Sequence, residues 1–76
     1  IELETVVSVL DFCVPYWNSG SYLKPQTVQL QNITDILKSM VESMKVSCDI
    51  IGHQNDKQSL VIGKAENIVK VLHNCM

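Results

Sequence analysis

At 76 residues the chain can bury a single hydrophobic core, which in a domain this small normally supplies about 3–5 kcal/mol net. Hydrophobic residues make up 46% of it and charged residues only 18%, against roughly 25% charged in an average soluble domain. With a net charge of −2, six lysines and no arginine, it lacks the clustered cations that neutralise phosphates or anionic lipid; no apolar run approaches the ~20 residues that span a bilayer, so neither nucleic acid nor membrane is an expected partner.

A small domain has the most surface per residue and should need more charge, not less. The shortage implies that part of this surface is covered by a neighbouring segment, a second copy or another chain. The chain begins at Ile1 and shows no basic n-region followed by an apolar run. It reads as one domain, residues 1–76, excised from a longer protein.

In the first segment Leu3, Val6, Val7, Leu10, Cys13, Val14 and Trp17 recur at steps of three and four, with Glu4, Ser8 and Asp11 as the polar counter-stripe. That spacing predicts an amphipathic helix. Val9, Phe12 and Tyr16 widen its apolar face, which predicts burial on more than one side. Pro15 cannot donate to the carbonyl of Asp11 and crowds it, so the helix should kink or fray there. Asn18, Ser19 and Gly20 supply residues that tolerate a left-handed stop.

A second helix is expected to start near Pro25, because proline is favoured in a first turn, where its missing N–H costs nothing. Its stripe is Leu30, Ile33, Leu37, Met40, Val41, Met44, Cys48 and Ile51, with Gln29, Asn32, Asp35, Lys38, Glu42 and Lys45 outside. Five of these, Leu30 to Met44, follow an a/d heptad, but two heptads are too few for a coiled coil. Unbroken to Ile51, the helix would be roughly 40 Å long at 1.5 Å per residue, far longer than its neighbours. Either it projects, or it ends near Lys45.

From Gly52 to Lys57 the apolar residues stop and the chain turns. Asn55 with Gln58 forms a capping-box pattern, and Val61, Ala65, Ile68, Val69, Leu72 and Met76 make a third stripe. Gly63 within it weakens a helix by about 1 kcal/mol relative to alanine. The β-branched runs KVSCDIIG and QSLVIG offer an alternative, an α+β fold with a hairpin around residues 46–62. The favoured fold is all-α, a small antiparallel three-helix bundle.

No constellation of residues argues for chemistry. Cys13 lies on the first stripe with Asp11 as its nearest charge, whereas a reactive thiolate needs an electropositive setting. Cys48, His53, His73 and Cys75 are zinc-type residues, but C-x4-H and H-x-C spacings do not bring them to one helix face. The GKAE segment after SLVI lacks the glycine and hydroxyl of a P-loop, and Glu66 replaces the second glycine of a GxxG loop. The carboxylates are scattered along polar faces, and acid–base catalysis needs two groups poised together. Neither an enzyme nor a metal or cofactor site is expected.

The functional expectation is a protein–protein interaction or dimerisation module, with either a protein partner or a second copy on the apolar face of the second helix. Leu37, Met40, Val41 and Met44 would make the contact, with Trp17 and Tyr22 at its edge, because aromatics and methionines are the residues interfaces favour. Met44→Asp would then abolish association while helicity persists. The alternative is a packing unit of a larger helical-repeat scaffold without a partner of its own. Three cysteines without metal-type CxxC spacing suggest reduced thiols and an intracellular setting, cytoplasmic or nuclear. The sequon Asn32, Ile33, Thr34 falls inside a helical pattern and reads as chance.

Overall fold

Three helices follow one another in the computed structural model, which describes residues 2–20 and 23–76: α1, Leu3–Asn18; α2, Thr27–Ile51; and α3, Asp56–Cys75. No strand occurs among the described residues. The fold is therefore the all-α bundle, and the hairpin around residues 46–62 does not form. Intrinsic β-propensity is weak beside side-chain burial. Here Cys48, Val61, Ile62 and Ala65 are buried at helical spacing, and the turn between them is fixed at both ends by helix signals.

Those signals are local. Gly52, at φ 76°, closes α2 in the left-handed conformation, its N–H reaching the Cys48 and Asp49 carbonyls at 2.8 and 3.2 Å. Asn55 opens α3: its side chain accepts from the Gln58 N–H at 2.8 Å, and the Gln58 side chain accepts from the Asn55 N–H at 2.9 Å. α2 starts at Thr27, with Pro25 just ahead of its N-cap Gln26 rather than in its first turn. The Gln29 side chain accepts from the Gln26 N–H at 2.9 Å. α1 runs through Pro15 to Asn18 rather than fraying there. Pro15 lies so near the helix end that only its own bond to Asp11 is lost, and its carbonyl still accepts from the Ser19 N–H at 3.2 Å.

The helices alternate in direction. Glu4 near the start of α1 pairs with Lys57 near the start of α3 at 3.2 Å, so these two run parallel. Lys45 of α2 meets Glu66 of α3 at 3.1 Å across an antiparallel seam. Both pairs are largely exposed and mark register more than stability. At the other end, the Lys24 Nζ donates to the Cys75 carbonyl at 2.7 Å, fixing the α1–α2 connection to the last turn of α3.

The core combines Leu3, Val7, Leu10 and Val14 of α1, Leu30, Leu37 and Val41 of α2, and Val61, Ile62, Ala65, Ile68, Leu72 and Cys75 of α3. Most of these positions are the predicted stripes, but Ile51 and Met76, each the last member of its stripe, are exposed, and Val69 is half-buried. Thr34 is fully buried and not part of any apolar pattern. Its hydroxyl donates to the Leu30 carbonyl at 2.8 Å, which removes the cost of burying it. α2, at 25 residues, is about 38 Å long by its rise per residue and sets the 43 Å long axis of the molecule.

Two glycines should respond oppositely to alanine. Gly52→Ala places a Cβ on a left-handed residue and should cost about 1 kcal/mol. Gly63→Ala adds a methyl in open space within a helix and should gain about 0.5–1 kcal/mol. Leu37→Ala, at a fully enclosed site, should cost about 2–5 kcal/mol. Urea unfolding followed by far-UV circular dichroism measures all three.

Candidate functional site

In a three-helix bundle each helix has two neighbours and can bury only part of its circumference. α1 is apolar over more than that part. Leu3, Val7, Leu10 and Val14 face the core, yet Val9, Phe12 and Tyr16, at steps of three and four on its outer side, are 56%, 70% and 60% exposed. The predicted burial on more than one side does not occur within the chain. The Phe12 and Tyr16 rings instead lie against each other with centroids 5.8 Å apart and planes tilted by 49°, an i, i+4 aromatic contact that limits both rings before anything binds.

This stripe continues into a groove between α1 and α2. Thr5, Val6, Val9 and Leu10 form one wall, Ile33 and Ile36 the other, around about 320 Å³ with no charged side chain in the lining. α1 and α2 touch each other less than either touches α3, which leaves the seam open. The α2–α3 groove has a different character. It holds about 430 Å³, but Lys38, Glu42, Lys45, Glu66 and Lys70 line it beside Val41 and Val69. Charges of both signs there serve as an ordinary solvated seam. A third depression continues along α2 past the start of α1, lined by Leu3, Met40, Met44, three serines (Ser39, Ser43 and Ser47) and Gln58.

Two of the residues expected to make a contact are interior. Leu37 and Val41 are in the core, 0% and 5% exposed. Met40, Met44 and Trp17 are half-buried and pack against it. Tyr22 lies outside the described residues. An a/d stripe marks the side of a helix that meets other helices, and here those helices are α1 and α3 of the same chain. Along α1 and the α1–α2 groove, the apolar side chains left exposed are ones off the stripes: Val9, Phe12, Tyr16 and Ile36. Ile36 had one signal in the sequence, its i+3 relation to Ile33, and it belongs to neither the apolar nor the polar series of α2.

The thiols do not assemble into a reactive or metal-binding group. Cys13 is half-buried, Cys48 and Cys75 are buried, and all three are free. No cluster of three or more His, Cys, Asp or Glu side chains suited to one ion occurs among the described residues. No helix described is long and apolar enough to cross a membrane. Comparison with protein families, with characterised proteins and with solved structures finds no match to this chain.

Placement separates the two faces in a stability measurement. Met44→Asp puts a carboxylate against the core and should lower unfolding free energy by about 1–3 kcal/mol. Ile36→Asp, on the open wall, should stay within about 0.5 kcal/mol of the parent. Equal losses in urea titrations of the two variants would show that the groove wall supports the fold.

Proposed function

We propose that this chain is a protein–protein interaction module whose contact surface is the outer face of α1 and the α1–α2 groove. The observation that carries the reading is an apolar surface without charge on a chain that already has a closed core. Val9, Phe12, Tyr16 and Ile36 contribute nothing obvious to the interior, and contiguous exposed apolar patches of several hundred Å² mark interaction sites. Aromatic side chains at such a site bury a large area for little lost freedom.

Other observations favour the same reading. Lys24, Lys45 and Lys57 are engaged within the chain, and Lys38 and Lys70 lie in the mixed-charge α2–α3 groove, an arrangement without the cationic surface that nucleic acid requires. The closed core and the caps at Gly52 and Asn55 favour a module with its own fold over a packing unit of a helical-repeat scaffold. The three free thiols suit an intracellular setting.

A photoreactive phenylalanine analogue at position 12, and in a control chain at position 67 on the polar outer side of α3, tests the proposal in intact cells. Irradiation should give a discrete protein adduct from position 12 that Val9→Asp removes, and none from position 67. The absence of an adduct from position 12, or the same diffuse labelling from both, contradicts an interaction role for this face.

A further inference from the structure

The sides of the bundle differ in charge, and the difference bears on what covers the α1–α2 side. Resting on the interaction reading above, we infer that the occupant is a second copy of this chain, docked about a two-fold axis that meets α1 at Val9.

The charges of α1 and α2 are gathered away from the groove between them. All five charged residues of α2, Asp35, Lys38, Glu42, Lys45 and Asp49, follow one another at steps of three and four and so share one stripe. Lys38, Glu42 and Lys45 of that stripe line the groove against α3. The two charged residues of α1, Glu4 and Asp11, are two turns apart on one side of the helix, where Glu4 pairs with Lys57 of α3. The α1–α2 side is left without charge: neither the groove at Val9 and Ile36 nor the depression lined by Met40 and Ser43 has a charged residue in its lining. A two-fold axis lays a surface on itself. A patch of one sign resists that, because like charges in apposition oppose association, whereas this side sets no charge against its own copy. It also lacks the charge pattern by which an interface selects a different protein.

Shape is self-complementary in the same way. The α1 wall of the groove runs from Thr5 to Leu10, and the exposed ridge of Val9, Phe12 and Tyr16 continues from it towards the end of the helix. Val9 belongs to both. A two-fold axis perpendicular to α1 at that position sets the two α1 helices antiparallel. Phe12, three residues beyond Val9, then comes to the level of Val6, three residues before it, in the groove of the other copy. Each copy supplies the ridge that enters the other's groove, the reciprocal contact of an isologous interface.

The area is of the right order. Phe12 and Tyr16 are 70% and 60% exposed, which at roughly 200 Å² per ring is roughly 260 Å². That is about half of the apolar area that a standard homodimer interface takes from each partner. Val9 and Ile36, both more than half exposed, extend it.

The test is sedimentation equilibrium of the 76-residue chain from low micromolar to millimolar concentration, beside Val9→Asp and Val9→Lys chains of unchanged helicity. The parent should form a concentration-dependent dimer, and each variant, which sets like charges together at the axis, should weaken it at least about tenfold. An equimolar mixture of the two variants should dimerise again, because opposite charges then meet at that position. A parent that stays monomeric throughout, a dimer that either variant leaves intact, or a mixture that does not recover overturns the docked second copy. The adduct from position 12 judges the interaction reading separately: an adduct with a different protein, beside a monomeric parent, leaves that reading standing, and no adduct removes it as well.

Discussion

The constraint on which the rest of the molecule depends is geometric: α1 has more apolar surface than two neighbouring helices can cover. Its core side packs mainly on α3, where the fully enclosed Ala65 leaves room for close approach. That arrangement satisfies Leu3, Val7, Leu10 and Val14. It also turns the opposite side of α1, with Phe12 and Tyr16, towards solvent. No rotation of α1 repairs this, because turning the aromatics inward would expose four aliphatic side chains that fit the core. The core is closed, and this apolar side of α1 stays exposed.

The remaining features of the bundle follow from that packing. α3 holds the other two helices together through its buried face, and the exposed Lys57–Glu4 and Lys45–Glu66 pairs mark the register at its margins. Lys24 fixes the α1–α2 connection to its last turn. With both helices held on α3, the seam between them has no partner of its own and remains a shallow groove. The low charge content acquires a location here. Carboxylates and lysines lie on the α2–α3 side and at the helix margins, whereas the α1–α2 side has Thr5 as the only polar residue in its lining.

Most of the fold was legible in the sequence, since helical periodicity and capping are local. Most members of the three stripes became the core or pack against it, with Ile51 and Met76 left exposed, and Asn55 with Gln58 opened α3 as their spacing implied. Pro15 misled because its cost depends on its distance from the helix end, and a terminal turn has few bonds left to lose. The site was less legible for a different reason. Periodicity marks which side chains meet another helix without saying whether that helix belongs to the same chain, so Leu37 and Val41 looked like contact residues and are interior. Thr34 was missed because burial of a hydroxyl becomes affordable only through a bond to its own helix. The signal that did point outward was the surplus of Val9, Phe12 and Tyr16 beyond one apolar face.

The most direct test of this account is solvent accessibility of individual methyl groups in the isolated chain, dilute enough to be monomeric, read by NMR as broadening from a soluble paramagnetic agent. The account predicts strong broadening at Val9 and Ile36 and protection at Val7 and Leu37. Protection of Val9 and Ile36 equal to that of Val7 and Leu37 would contradict it, because the face assigned to a partner would then already be closed.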